Sequence, residues 1–387
     1  MKTVGQKFVE VPMLDLSRQY AGLRDEFLAA ITRVCDSQQY ILGEEVKVFE
    51  REFAALCGTA DSIACASGTD ALWLAMAAAN IGPGDSVITT PFSFFATASS
   101  ILRAGARPVF VDIDPETLNI DAAKIEQTLR SGPKRHGIMP VHLYGQCADM
   151  DAIDKLAVEF KLQIIEDAAQ ASGAAWNGKP AGALGTAAAF SFYPTKNLSA
   201  FGDAGVLTTS DPALAEHARS LRSHGAKQRY YHDEIGANSR MDSIQAAVLR
   251  VKMRHLQSWN DARRSHAKLY DQLIVAAGLT QTGANSAAPV VLLKTRPQAH
   301  HIYHQYVIRV QQREKLRDFM KERGVGSEIY YPVPLHLQKC FGYLGHVKGD
   351  LPESECAAAE VLALPMFAEL TDAEQRHVVE SIAEFYS

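Results

Sequence analysis

Three short segments carry side chains whose chemistry is complementary. Ser67-Gly68-Thr69-Asp70-Ala71-Leu72 opens a helical stretch over 71–80. Free N–H groups, a hydroxyl and the positive end of the helix dipole make such a start a cup for a phosphate, although Ser or Thr there is also an ordinary cap. Asp167 ends a strand expected over 162–167. A carboxylate there points into the crevice where α/β proteins bind ligands, or else caps a following helix. Ser191-Phe192-Tyr193-Pro194-Thr195-Lys196-Asn197-Leu198 puts Lys196 on a loop just beyond a strand that Pro194 stops. Most lysines are solvated surface groups. Lys196 differs because its loop is otherwise apolar or neutral and Asp167 lies about one strand–loop–strand unit earlier. An amine for a Schiff base, a carboxylate for a ring nitrogen and a phosphate cup are the parts that pyridoxal phosphate requires. An ionised Asp167 would keep the ring nitrogen protonated. Lys196 must be neutral to attack an aldehyde, and partial burial near a cation favours that form.

These groups need a scaffold that brings strand ends together. The runs 86–90, 108–113, 137–143, 162–167 and 188–193 are apolar without strict alternation, as in strands covered on both faces. Between two of them, 149–160 carries Ile153, Leu156, Ala157 and Phe160 at helical spacing. Strand–helix–strand order predicts a mainly parallel, doubly wound α/β sheet. Helices are expected at 44–56, with Val46, Phe49, Phe53 and Leu56 on one face, and at 242–256, with Ile244, Ala247, Val248 and Val251. A small-residue loop is expected over 280–289. A second unit follows, with a strand at 304–310, a helix at 313–323 and a closing helix at 372–385. The division expected is a large domain at 1–258, including an N-terminal helical segment, and a smaller C-terminal α+β domain at 259–387.

Composition narrows the function classes. Of 387 residues, 47% are hydrophobic and 21% charged, so a globular protein is expected. The net charge of −5 argues against nucleic-acid binding but allows a local basic patch. Cys35, Cys57, Cys65, Cys147, Cys340 and Cys356 form no C-x-x-C pair, which argues against disulfides, a zinc site or an iron–sulfur cluster. Reduced thiols, the lack of an apolar segment in Met1–Lys7 and the lack of any run near ~18 apolar residues predict a cytoplasmic protein off the membrane.

As a set, the motifs resemble those of the DegT/DnrJ/StrS family of sugar aminotransferases, pyridoxal-phosphate enzymes of the aspartate-aminotransferase (type I) fold. The resemblance runs from Leu14-Asp15-Leu16 to Leu364-Pro365-Met366-Phe367. It includes Tyr40-Ile41-Leu42-Gly43, Ser67 to Leu72, Pro140-Val141-His142-Leu143-Tyr144-Gly145-Gln146 and Glu166-Asp167-Ala168-Ala169-Gln170. It continues through Ser191 to Leu198, Gly202-Asp203-Ala204-Gly205, Asn238-Ser239-Arg240-Met241-Asp242 and Tyr331-Pro332-Val333-Pro334-Leu335-His336. The resemblance implies that Lys196 holds the cofactor aldehyde, Asp167 pairs with the ring nitrogen, Phe95 stacks on the ring and Gln170 lies beside it. Gly68, Thr69 and Ser191 would hold the phosphate. Asn238 would reach the phosphate of a neighbouring subunit, making a homodimer with shared sites. Tyr193, Tyr331 and His336 are expected at the sugar, and Arg240 at the donor carboxylate. Two positions depart from the family: Ser172 stands where His is frequent, and Ser199 where Gly is usual.

The reaction implied moves an amino group from L-glutamate to a nucleotide-linked keto-sugar. Phe192-Tyr193-Pro194-Thr195-Lys196 resembles members acting at C3, whereas members acting at C4 tend to have His at the Tyr193 position. The expected substrate is therefore a 3-keto-(6-deoxy)hexose on dTDP or UDP, with a 4-keto sugar as alternative. A pyridoxamine-dependent dehydratase would replace the lysine by His or add clustered cysteines. A non-catalytic, cofactor-binding regulator is the remaining alternative. Arg219, Arg222, His224, Lys227 and Arg229 are candidates for the diphosphate, or else a solvated helix end. His142 reads as a satisfied core histidine, and no role is assigned to His301 or His304.

Overall fold

The computed structural model describes residues 9–132, 136–228, 230–280 and 288–387. Its centre is a seven-stranded sheet of β1 (Asp61–Cys65), β2 (Ser86–Thr89), β3 (Arg107–Phe110), β4 (Gly137–Met139), β5 (Gln163–Asp167), β6 (Ala187–Ser191) and β7 (Gly205–Thr209). The order is β1-β7-β6-β5-β4-β2-β3. Only β7 runs against its neighbours; the other pairings are parallel. Helices cover both faces, and β6 shows how the sequence permits it. Ala188 and Phe190 face one core with Phe49 and Phe53. Ala187 and Ala189 face the other, with Leu72 and Ala75 of the helix Gly68–Ala78. A strand buried on both sides has no polar face to alternate with, which is why its sequence reads as one apolar run.

The second unit is built on an antiparallel sheet of β8 (Val290–Leu292), β9 (Tyr306–Val310) and β10 (Val361–Leu364) in the order β8-β9-β10. Its helices include Arg313–Glu322 and Asp372–Tyr386, the latter opened by a capping box between Thr371 and Glu374. The helix expected over 242–256 is found as Ser243–Met253, and a second helix, Leu256–Ala276, follows it where none was expected. The division expected at 258/259 therefore falls inside a continuous helix. The start of the chain also joins the second unit, since Val11 bridges to Val325 in parallel and packs in the same core as Ile308 and Met320. Of the loop expected at 280–289, residues 281–287 lie outside the described residues.

Candidate active site

The carboxyl ends of β5 and β6, and the helix that follows β1, meet at one edge of the sheet. Ser67 caps the helix Gly68–Ala78, its hydroxyl accepting from Asp70 N–H at 3.1 Å. The helix start lies so close to β6 that a Cβ on Gly68 would sit 2.5 Å from Cβ of Ser191. On β7, a Cβ on Gly205 would sit 2.3 Å from the Ser67 carbonyl. Both glycines are required by close approach, and together they press the first amides of the helix against Ser191.

Lys196 follows β6 on a turn closed by its own N–H on Tyr193 O at 2.9 Å. The loop is then pinned on several sides. Lys252 Nζ donates to Ser199 Oγ at 2.8 Å, Phe201 N–H donates to Gln245 Oε1 at 2.8 Å, and Asn197 Nδ2 donates to Asn260 Oδ1 at 2.8 Å. The serine found where the family usually has glycine thus has a partner of its own.

A cleft of about 710 Å³ opens at this edge. Gly68, Thr69, Asp167, Gln170, Ser191 and Lys196 line it from the large sheet, and Tyr193 stands at its wall. His304, Glu328, Tyr330 and Tyr331 line it from the second unit. Gln170 is fixed from both ends, its Oε1 accepting from Tyr144 N–H at 2.6 Å and its Nε2 donating to Tyr331 Oη at 3.0 Å. Burial lowers Lys196 to a pKa of about 8, against the opposing pull of the Asp167 charge. Burial raises Asp167 above the usual carboxylate range, while hydrogen bonds from Thr97 and Ala169 and the charge of Lys196 pull the other way. Burial also raises the Tyr331 phenol, with the Asp167 charge adding to the effect.

Several expected groups lie elsewhere. Phe95 does not line the cleft; its ring stacks on Phe341 with centroids 5.4 Å apart. Phe94, one residue earlier, takes the wall instead. The reason is helix register. Phe94 is the extended N-cap of the helix Phe95–Arg103, so the two side chains diverge. His336 is buried beside Glu355, with Nε2 3.1 Å from Oε1, and is not part of the cleft lining. Arg240 also lies outside that lining, its Nε buried without a hydrogen-bond partner. Asn238 is exposed, outside the cleft of its own chain.

Two of the candidate diphosphate cations are already engaged. Arg219 pairs with Asp61, and Arg222 pairs with Glu50 at 2.5 Å. His224 and Lys227 are exposed, and Arg229 lies outside the described residues. His142 is a core group as expected: Nε2 lies 2.9 Å from Glu166 Oε2, and Nδ1 accepts from Ala148 N–H at 3.2 Å. The residues that sequence reasoning missed are Phe94, Ser93, Asp203, His304, Glu328 and Tyr330, all on the cleft.

The donor set fits pyridoxal phosphate. Asp167 is a buried carboxylate whose direct partners are a hydroxyl and an amide, with the Lys196 amine as a nearby cation. Gly68 leaves a helix start with unfilled amide donors beside the Ser191 hydroxyl, which suits a phosphate. Sheet, cleft and lysine together define a pyridoxal-phosphate-dependent aminotransferase. The chain belongs to the DegT/DnrJ/EryC1/StrS aminotransferase family, whose model matches residues 22–383.

Its relatives include a "Pleiotropic regulatory protein" of Geobacillus stearothermophilus, 51% identical over 98% of this chain and 99% of that one. They also include the UDP-N-acetyl-3-dehydro-alpha-D-glucosamine 3-aminotransferase of Acidithiobacillus ferrooxidans, 42% identical over 94% of each chain. Among solved structures, DesV of Streptomyces venezuelae, in complex with a ketimine intermediate, superposes with a TM-score of 0.92 at 41% identity, covering 97% of this chain and 98% of that one.

Proposed function

We propose that the protein transfers an amino group from L-glutamate to C3 of a 3-keto sugar linked to a nucleoside diphosphate, UDP or dTDP, in deoxyamino-sugar biosynthesis. The observation that carries this reading is Lys196 and Asp167 lining one cleft on a family scaffold. The choice of C3 is supported by Tyr193 on the cleft wall, where C4-acting members tend to have His, and by the 3-aminotransferase relative.

Pyridoxal phosphate supplies an aldehyde and an electron-accepting ring. In this assignment Gly68, Thr69 and Ser191 hold the phosphate, Asp167 faces the ring nitrogen and Phe94 takes the stacking place first expected of Phe95. With a pKa of about 8, a useful fraction of Lys196 is neutral near physiological pH and able to act as a nucleophile. Freed when an amine substrate takes its place, its Nζ would take the proton from the substrate carbon bearing nitrogen and return it two atoms along, on the far side of that nitrogen. Gln170, held by Tyr144 and Tyr331, keeps the ring in place. Tyr193 and Tyr331 offer hydroxyls to the sugar.

Asn238 lies exposed outside its own cleft, which suits a reach into the site of a second copy and therefore a homodimer. Arg240, two residues further on, is assigned to the donor carboxylate, whereas His336, buried against Glu355 outside the cleft lining, does not make the sugar contact expected of it. We assign the enzyme to the cytoplasm; among the described residues no helix is long and apolar enough to cross a membrane, and all six cysteines are free. The Geobacillus relative's name favours a second reading, a regulatory protein that keeps the cofactor.

The test mixes holoenzyme and glutamate with UDP- and dTDP-linked 3-keto and 4-keto sugars, with mass detection of the amino sugar. A 3-amino product supports the proposal. A product only from 4-keto sugars removes the C3 assignment. Cofactor binding without turnover favours the regulatory reading.

A further inference from the structure

Asp167 is buried, and burial by itself favours the neutral acid. A neutral acid would be of no use to a protonated ring nitrogen. Two groups touch the carboxylate. Ala169 N–H lies 3.3 Å from Oδ1, and the Thr97 hydroxyl donates to Oδ2 at 2.7 Å. Thr97 Oγ1 also lies 2.7 Å from Ser93 Oγ, and Ser93 lines the cleft. All three side chains are at most 4% exposed. A hydroxyl has one hydrogen to give. While Thr97 gives its hydrogen to an ionised Asp167, the hydrogen between the two hydroxyls must come from Ser93. The chain then runs Ser93 to Thr97 to Asp167, each donor polarised by the next acceptor.

We propose that Thr97 is a positioning residue that keeps Asp167 ionised for the ring nitrogen, and that Ser93, by donating to Thr97, fixes the direction of that hydrogen bond. The proposal rests on the placement of Asp167 against the ring nitrogen. The other titratable groups facing Asp167 are Lys196, whose charge favours the carboxylate, His142, and Tyr331, whose phenol Asp167 makes harder to ionise. None of these three donates a hydrogen bond to the carboxylate among the described residues. His142 is itself committed to Glu166 and to Ala148 N–H. Thr97 is therefore the only side-chain donor to Asp167 among the described residues, and its loss leaves burial opposed chiefly by one amide.

The test compares Thr97→Val, Thr97→Ser, Ser93→Ala and Asp167→Asn in the full chain. It reads the dissociation constant for pyridoxal phosphate and the acid limb of the pH profile for the glutamate half-reaction. Thr97→Val keeps the shape and removes the donor. Cofactor binding should weaken roughly ten- to a hundredfold, the range for a lost hydrogen bond to a charged group, and the acid limb should move to higher pH. Thr97→Ser should restore both readouts, and Ser93→Ala should shift them the same way by less. The proposal fails if Asp167→Asn weakens binding while Thr97→Val leaves affinity and acid limb unchanged. It also fails if Val and Ser variants are equally impaired with the limb unmoved, the mark of a packing role alone. If Asp167→Asn itself changes nothing, the ring-nitrogen assignment falls first and the proposal with it.

Discussion

Lys196 and Asp167 set opposite demands on one cleft, and each has a measurable signature. Lys196→Ala should abolish turnover and the absorption band of the lysine-bound cofactor; full activity in that variant would end the mechanism. The rate at which cofactor-free protein captures pyridoxal phosphate should rise with pH and level off above about 8, because burial lowers the lysine and only its neutral form attacks. The Asp167 charge favours the protonated amine, so Asp167→Asn should move that midpoint to lower pH. An unchanged midpoint would show that the two groups are not coupled. Of the groups assigned by motif, Gly68, Thr69, Gln170, Ser191, Tyr193 and Tyr331 come to the cleft beside this pair. Phe95 does not, because its neighbour ends an extended segment and it begins a helix, a boundary that two consecutive phenylalanines do not announce. His304 and Glu328 had no sequence signal at all. They belong to another unit, and only the docking of that unit on the sheet edge brings them in.

At the scale of elements, close approach matters more than propensity. The expected parallel strands appear with shifted ends, but β1 and β7 were not predicted. Asp61-Ser62-Ile63-Ala64-Cys65 is short and has a single β-branched residue, and β7 runs antiparallel inside an otherwise parallel sheet. Yet β7 is what carries Gly205 under the helix Gly68–Ala78. Gly68→Ala should cost about 1–3 kcal/mol by overpacking against Ser191 and weaken phosphate binding. Gly22→Ala makes the contrast. Gly22 sits inside the helix Leu16–Ser37 with nothing within 4 Å of an added Cβ, so alanine there should stabilise by about 0.5–1 kcal/mol. Denaturant midpoints with and without cofactor separate the two effects; equal changes would refute the close-approach argument.

At the scale of the molecule, the ends of the chain hold each other. Arg18 at the start of the helix Leu16–Ser37 forks onto both oxygens of Glu374, the capping residue of the last helix. The Arg18 hydrogen bonds, helped by those from Thr371 and by the Arg18 charge, hold Glu374 down at about 2. A depressed carboxylate contributes above its unfolded value and loses that contribution as pH falls through the folded one. The stability difference between wild type and Arg18→Ala should thus be about 1 kcal/mol near pH 7, since the arginine is partly exposed, and shrink between pH ~4 and ~2. A difference that stays constant across that range would assign Arg18 to packing alone. Asn238→Ala tests the proposed assembly. It should weaken cofactor binding without dissociating the dimer, and a monomer that binds the cofactor tightly would contradict the shared site.

The Arg18–Glu374 pairing, across a sequence separation of 356 residues, also sets an order of events during synthesis. Val11 and Arg18 are made more than 300 residues before their partners at Val325 and Glu374. Domains tend to fold as they emerge, and distant contacts close slowly. The apolar face of the helix Leu16–Ser37 packs earlier, on the helix Ser243–Met253, but Val11 and Arg18 must wait for their partners to be made. A nascent chain halted before residue 325 should leave the segment 11–18 open to protease even after the large sheet has formed, while the rest of that helix is protected on Ser243–Met253.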